Sequence, residues 1–103
     1  EENIAFVKEL VSGVLNNKKQ IDANIKQFAP AWPIAQISVI DRNILRIAIF
    51  EILFDDKTPI KVAINEAVEL AKAYAAEGSH SYINGVVDKV AQVLRPLEFG
   101  RRL

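Results

Sequence analysis

The sequence feature that most constrains the fold is a long apolar stretch, "VIDRNILRIAIFEILF", at residues 39 to 54. These sixteen residues are too many for an ordinary strand. Their polar positions also lack the alternation with period two that a half-buried strand requires. Ser38 stands three residues before Asp41, which is a plausible capping pair for a helix start. The stretch therefore predicts a central buried helix.

Two amphipathic helices are predicted before this stretch. Apolar residues recur every three or four positions from residue 3 to residue 15. Asn16 and Asn17 then offer a stop and a restart signal, and a second helix with its own apolar face follows. That face consists of Ile21, Ile25 and Phe28. Pro30 ends the second helix, because proline cannot continue the backbone hydrogen bonding.

Two more helices are predicted after the central one. The composition of residues 55 to 59 indicates a turn, after which apolar residues repeat at helical spacing in a helix that ends before Gly78. The last helix is predicted to begin with Ser79 as its N-cap and to end before Pro96. Residues 96 to 103 are then expected to form a loosely ordered tail, with Phe99 or Leu103 as the apolar side chain available for docking on the bundle.

The dipeptide Asn84-Gly85 lies inside the last predicted helix, although by itself it is a hairpin signal. The helical period of the apolar residues continues across it, which favours the helix. A glycine inside a helix costs about 1 kcal/mol relative to alanine. We therefore expect that another helix backbone approaches closely at Gly85.

Five long helices with short connections, and no convincing strand, predict an all-α compact helical bundle. A length of 103 residues suits one domain. Thirteen basic and thirteen acidic residues cancel, so the strong basicity of a stand-alone nucleic-acid binder is missing. The absence of cysteine excludes disulfides and thiolate metal sites, and no run of about 20 apolar residues suggests a membrane span. We expect a soluble, cytoplasmic protein.

Catalytic and metal-binding patterns are missing from the sequence. His80 is the only histidine and cannot complete a zinc site without cysteine or a second histidine. Ser79 and Ser81 flank it, but nothing suggests a third orienting group or an oxyanion hole. Glu66 and Glu69 are better explained as a solvated helix face than as an acid–base pair. The chain is therefore predicted to be no enzyme and to need no cofactor or metal.

Two places are candidates for contact with a nucleic acid. In "GSHSY", residues 78 to 82, the N–H groups of a helix start can hold a phosphate while Tyr82 or His80 stacks on a base. The same residues would also serve as an ordinary polar cap. Arg42 and Arg46 lie four apart in the central helix and either meet a phosphate or a partner's carboxylate, or extend along the bundle surface.

Four segments carry a resemblance that extends from about residue 6 to residue 96. They are "FVKELVSGVLNN" (6 to 17), "DRNILRIAIFEIL" (41 to 53), "PIKVAINEAVELAKAYAAEGSHSYINGVVDKV" (59 to 90) and the "RP" that follows. Together they closely resemble the NusB family of bacterial transcription antitermination factors. The resemblance implies two small helical subdomains, with residues 1 to 30 the remainder of the N-terminal one, residues 34 to 95 the C-terminal one, and residues 96 to 103 a tail.

The resemblance also implies a non-enzymatic function. Members of the family pair with a ribosomal protein, NusE, and the pair binds boxA RNA within the transcription elongation complex, which supports processive transcription of ribosomal RNA operons. Carried over residue by residue, the RNA contacts are Gly78, Ser79, His80, Ser81 and Tyr82, with Tyr82 at the position of the stacking aromatic. The contacts with the protein partner are Asp41, Ile37 and Ala35.

The sequence departs from the family pattern in three places. The arginine-rich helix with which members begin has no counterpart before Glu1, so we expect an incomplete N-terminal subdomain, an exposed apolar face and self-association through that face. Gly78 stands where an acidic residue is common, and Ser81 where a lysine occurs. Two alternatives stay open: the NusB-like accessory domain of a ribosomal RNA cytosine methyltransferase, and a purely structural helical adaptor.

Overall fold

The computed structural model describes residues 2 to 29 and 37 to 102, without the side chains of residues 2, 3, 6, 101 and 102. The described part is all-α, as predicted, and forms a compact bundle. Its helices are α1 (Glu2–Asn16), α2 (Lys18–Phe28), α3 (Val39–Phe54), α4 (Ile60–Tyr74), α5 (Ser79–Leu94) and α6 (Pro96–Arg102). Within this part of the chain, no helix is long and apolar enough to cross a membrane.

Helix α3 is the centre of the core and packs against α1, α2, α4 and α5. Its inner face is fully or almost fully buried. That face consists of Ile44, Leu45, Ala48, Ile49 and Ile52. The Ser38 hydroxyl accepts a hydrogen bond of 3.1 Å from the Asp41 backbone N–H, so the predicted cap at the start of α3 is confirmed.

Helix α2 is attached to α3 by apolar burial and by one ion pair. Ile21 and Ile25 are 0 % exposed. Beside them, the Arg46 guanidinium donates to both carboxylate oxygens of Asp22, at 2.8 and 2.9 Å. Two hydrogen bonds from one guanidinium to one carboxylate fix the relative orientation of the two side chains and add to the attraction between their charges. Neither interpretation offered for Arg46 included this contact, because the carboxylate that it meets belongs to the protein's own α2.

The prediction that another helix backbone approaches closely at Gly85 was wrong. A Cβ added to Gly85 would meet no atom within 4 Å, and the residue lies on the exposed side of α5. The close approach occurs instead at Gly13 of α1, where the Phe50 ring occupies the space that a Cβ would need. The spacing of apolar residues identified both helices but could not show which glycine faces a neighbour.

The loosely ordered tail was also a wrong prediction, because Pro96 begins helix α6. Proline is well suited to the first helical position, since its fixed φ matches the helix and its missing N–H would have no helical partner there. Phe99 of α6 packs against the core. Leu103, which was also considered for docking, lies outside the described residues.

A side-chain clamp connects the start of α6 to the turn between α3 and α4. Arg95 donates to the backbone carbonyls of Glu51, Ile52, Asp55 and Thr58. Glu98 pairs with Arg95 at 3.0 Å and accepts a hydrogen bond of 2.6 Å from the Ile60 N–H. The clamp therefore satisfies carbonyls at the end of α3 and an N–H at the start of α4, which helix termini otherwise leave without partners.

The outer side of α1 is an exposed apolar face, as expected from the sequence. Its four residues follow helical spacing and are each at least half exposed. They are Ile4, Val7, Val11 and Leu15. Self-association through this face stays a prediction, as does the division of the chain into two subdomains.

Candidate nucleic-acid interface

The connection between α4 and α5 depends on Gly78. Its φ of 89° and ψ of −16° lie in the left-handed region, which side chains with a Cβ adopt only at a cost. Gly78 therefore takes the N-cap position of α5, and the prediction of Ser79 as the cap was wrong. The reversal of the chain requires the left-handed residue, and this requirement overrides the usual preference for serine at the cap.

Ser79 is the first residue of α5, and its hydroxyl points to the neighbouring helix. It donates a hydrogen bond of 3.1 Å to Oδ2 of Asp41, which lies in the first turn of α3. The Asp41 carboxylate thus sits beside the starts of two helices, where the helix dipole favours negative charge. The predicted partner contact Asp41 and the predicted RNA contact Ser79 are therefore in direct contact.

A surface depression of about 390 Å³ opens between these two helix starts. From the side of α3 it is lined by Ile37, Ser38 and Asp41. From the side of α5 it is lined by Glu77, Gly78, Ser79 and Tyr82. It brings together residues predicted for two different ligands. Ala35, the third predicted partner contact, lies outside the described residues.

Two polar atoms at this depression are buried and have no hydrogen-bond partner in the described part of the chain. They are Oδ1 of Asp41 and the Tyr82 hydroxyl. Burial and, secondly, the nearby Asp41 carboxylate raise the pKa of Tyr82 above its usual value of 10.0. A buried polar group without a partner costs about 1–3 kcal/mol. A ligand that offers hydrogen bonds to both atoms would remove that cost.

The predicted RNA contacts differ in how far they are accessible. The Tyr82 ring is partly buried and packs against the core, so only part of it is open for stacking. His80 is partly buried, whereas Ser81 is exposed. Gly85 lies four residues after Ser81, and Lys89 lies eight residues after it; both are also exposed. These three residues, here called the outer stripe, follow one side of α5.

The charges around the depression are acidic. Asp41 and Glu77 are its charged lining residues, an arrangement that favours hydrogen-bond donors over phosphate. The outer stripe offers Lys89 instead. Arg95 is unsuited to bind RNA because its guanidinium donates to four backbone carbonyls and to Glu98. Phosphate contacts are therefore better supported at the outer stripe than inside the depression.

Two apolar residues beside this site were not predicted from the sequence. Val39 and Ile40, in the first turn of α3, are 60 % and 46 % exposed. Ile37, by contrast, belongs to the core at 7 % exposed. An apolar pair exposed beside Asp41 is typical of a protein contact. Their apolar character assigned both residues to the buried helix, whereas their place in the first turn of α3 leaves them exposed.

The remaining sequence candidates are part of the structural framework or the solvated surface. The Lys72 ammonium lies 4.0 Å from the Glu69 carboxylate, and both side chains are exposed, so the solvated-face interpretation is confirmed. Among the described residues, no group of three histidine or acidic side chains is arranged to hold a metal.

Comparison with known proteins identifies the family. The model of the NusB family matches residues 1–92. The transcription antitermination protein NusB of Dehalococcoides mccartyi strain CBDB1 is 52 % identical over 94 residues, and that of Heliobacterium modesticaldum is 47 % identical over 91 residues. These alignments cover 91 % and 88 % of this chain.

A solved structure supports the same family assignment. The Thermotoga protein described as T. maritima NusB superposes with a TM-score of 0.89 at 35 % identity, over 98 % of this chain and 71 % of that one. The chain spans 66 % of the Dehalococcoides relative and 44 % of the Heliobacterium relative. A match of the family model over most of the chain, together with relatives this similar, shows that the chain belongs to the NusB family.

Proposed function

We propose that this chain acts as a transcription antitermination factor of the NusB type. It binds boxA RNA together with the ribosomal protein NusE, within the transcription elongation complex, and supports processive transcription of ribosomal RNA operons in the cytoplasm. Its role is binding and not catalysis. The family membership and the names of its relatives support this proposal.

The observation that carries the proposal is the hydrogen bond between Ser79 and Asp41. It joins the helix start proposed for RNA to the helix start proposed for NusE. A ligand on either side therefore changes the surroundings of the other. Two adjoining surfaces that are each weak combine into one tighter site, because the second contact becomes intramolecular once the first has formed.

The protein side of the proposed site consists of Asp41 with the exposed apolar pair Val39 and Ile40. Asp41 offers its buried oxygen, Oδ1, to a donor on the partner. The apolar pair provides the surface that the partner removes from water. Docking of NusE would also cover the depression and give the Tyr82 hydroxyl a partner.

The RNA side consists of residues 78 to 82 and the outer stripe. The partly exposed Tyr82 ring is the stacking surface for one base. Lys89, further along α5, contacts the phosphates of the RNA backbone. Gly85 leaves the helix surface between Ser81 and Lys89 without a side chain, so that the RNA backbone can approach closely. With zero net charge, the chain alone has little non-specific attraction for RNA, and the proposal therefore assigns selectivity to the assembled pair.

The experiment is fluorescence anisotropy of labelled boxA RNA titrated with the protein in the presence of NusE. Tyr82→Ala and Val39→Ser are expected to weaken binding by about tenfold, which corresponds to about 1.4 kcal/mol for one stacking or apolar contact. Val93→Ser is the control for Val39→Ser, since Val93 is similarly exposed at 57 % but lies near the far end of α5. Equal binding by all four proteins would overturn the proposed surface, and no binding of boxA RNA by the wild type with NusE would support the structural adaptor instead.

A further inference from the structure

The charges of the chain cancel overall but are unevenly distributed, and α2 carries a basic surface. The exposed residues of α2 include no acidic side chain and no apolar side chain larger than alanine. They are Lys18, Lys19, Gln20, Ala23, Lys26 and Gln27, here called the lysine face. This face therefore offers ammonium groups, which only donate hydrogen bonds, together with side-chain amides.

The one acidic residue of α2 does not neutralise the lysine face. Both carboxylate oxygens of Asp22 accept hydrogen bonds from the Arg46 guanidinium, at 2.8 and 2.9 Å, so this carboxylate is already paired. Among the described residues, none of the three lysines of the face forms an ion pair. The exposed surface of α4 differs, because Lys72 lies beside Glu69 there. Three positive charges on α2 are thus left without a counter-charge in this part of the chain.

Two of the lysines form a row along the helix. Lys19, Ala23 and Lys26 follow one another at intervals of four and three residues and so lie on one side of α2. Lys19 and Lys26 are separated by two helical turns, or about 10 Å along the axis. Ala23 between them has only a methyl group, which leaves room for an extended chain to lie across both ammonium groups.

The end of α2 that carries Lys26 lies at the same end of the bundle as the proposed RNA contacts. Gly13 of α1 packs against Phe50, whereas Asp22 of α2 contacts Arg46, one turn earlier in α3. The chain from α1 to α2 therefore runs along α3 in the opposite direction. One further turn places Lys26 level with the first turn of α3, which borders the depression.

The composition of the lysine face matches a nucleic-acid backbone better than a protein or a membrane. Lysine and glutamine side chains are common partners of phosphate and sugar oxygens. Protein interfaces are depleted in lysine and enriched in aromatic residues, which this face lacks. A helix that lies on a membrane needs large apolar side chains on the membrane side, whereas Ile21 and Ile25 of α2 are buried in the core.

The exposure of the lysine face follows from its composition. It has no large apolar side chain that another helix could remove from water. Removal of unpaired ammonium groups from water is also costly. The face is therefore suited to a hydrated, highly charged ligand.

We propose that the lysine face holds the phosphates of RNA that extends beyond the nucleotides bound at α5. This inference rests on the RNA-binding part of the proposed function, because it takes RNA as the ligand. The contact is independent of sequence, since the face has no aromatic side chain to stack on a base and phosphates are alike in every RNA. The lysine face adds affinity for any RNA, while selectivity for boxA stays with α5 and NusE.

The test is fluorescence anisotropy of labelled boxA RNA flanked on both sides by uridines, and of a scrambled RNA of the same length. Each is titrated with the protein and NusE at several salt concentrations. The double variant Lys19→Gln/Lys26→Gln is expected to bind both RNAs about tenfold more weakly at low salt, because two phosphate contacts are lost. The slope of log affinity against log salt concentration should become less steep by about 1.4, since each contact to a single strand contributes about 0.7.

Two control variants separate position from charge. Lys57→Gln/Lys61→Gln removes two exposed lysines at the opposite end of the bundle and is expected to keep RNA affinity within about twofold of the wild type. Lys19→Arg/Lys26→Arg keeps both charges and should bind like the wild type, and circular dichroism checks that each variant folds. An unchanged salt slope in Lys19→Gln/Lys26→Gln, or an equal loss in Lys57→Gln/Lys61→Gln, would overturn the proposal.

The outcome for the lysine face is separate from the outcome for the proposed function. Equal affinity of the wild type for boxA and scrambled RNA would contradict the proposed function, whereas weaker binding of the scrambled RNA by Lys19→Gln/Lys26→Gln would still support the lysine face. Unchanged RNA binding by this variant, together with lysine-dependent binding to phosphatidylserine vesicles, would overturn the proposal in favour of a membrane surface.

Discussion

The hydroxyl of Ser79 donates to the carboxylate of Asp41 across 38 residues of sequence, and this bond holds the starts of α5 and α3 together. It lies at the edge of a depression where a second Asp41 oxygen and the Tyr82 hydroxyl have no partner in the described structure. The site is therefore held in place on one side and open to hydrogen bonding on the other.

This bond should be measurable as a coupling between the two residues. Ser79→Ala, Asp41→Ala and the double variant are expected to show an interaction free energy of about 1 kcal/mol in a double-mutant cycle. Urea unfolding followed by circular dichroism gives the four free energies of unfolding. Ser81→Ala, an exposed neighbour, is the control and should be nearly neutral. Simple additivity of Ser79→Ala and Asp41→Ala would show that the bond contributes nothing.

The Arg95 clamp should be one of the most sensitive polar positions of the fold. Arg95→Ala leaves the carbonyls of Glu51, Ile52, Asp55 and Thr58 without this donor and is expected to lower the free energy of unfolding by about 3 kcal/mol. Arg95→Lys keeps the charge but cannot reach all four acceptors, so a smaller loss is expected. A loss below about 1 kcal/mol for Arg95→Ala, measured by urea unfolding, would contradict the clamp.

The stability of the protein should fall as pH rises because of Glu51. The folded state raises the pKa of Glu51 from 4.5 to about 7, so the folded protein holds this proton more tightly than the unfolded chain. The resulting stabilisation is complete below pH 4.5 and is lost by about pH 7, with a maximum size of about 3 kcal/mol. Asp55 acts in the opposite direction at more acidic pH, since hydrogen bonding by Thr58 lowers its pKa.

Glu51→Gln should remove this decline, because its amide does not titrate. Urea unfolding across this pH range is expected to show that the variant gains stability over the wild type as pH rises. Glu69→Gln, on the exposed face of α4, should keep the wild-type profile. Parallel pH profiles for wild type and Glu51→Gln would rule out Glu51 as the cause.

The two glycines in helices should respond to alanine in opposite ways. Gly85→Ala places a methyl group in open space within a helix and is expected to stabilise the protein by about 0.5–1 kcal/mol. Gly13→Ala forces the Phe50 ring to move and is expected to destabilise by about 1–3 kcal/mol. Thermal unfolding of both variants tests the pair, and a neutral or stabilising effect of Gly13→Ala would show that α1 does not pack closely on Phe50.

Helical periodicity was sufficient to predict the five long helices, because apolar faces at three- and four-residue spacing have few other ways to be buried. It failed where a single residue has two possible roles. Pro96 ends one helix and begins another, and Gly78 takes the cap because the chain reversal needs a positive φ. These choices depend on where the next element packs, which the local sequence does not contain.

The site was predicted in part, for the same reason. Asp41, Ser79 and Tyr82 were identified through the family resemblance, and the structure places all three at one depression. Val39 and Ile40 were missed because their apolar character suggested burial, and exposure depends on the three-dimensional neighbours. Glu51 was not singled out from the sequence, because its burial depends on how α3 packs in the fold.

The most direct test of the central claim is the affinity of the wild-type chain for boxA RNA with and without NusE, measured against a scrambled RNA at two salt concentrations. We expect NusE to tighten boxA binding by about tenfold or more, with little effect on the scrambled RNA. We also expect both RNAs to bind more weakly at the higher salt concentration. Equal affinity for the two RNAs in the presence of NusE would contradict the proposed function.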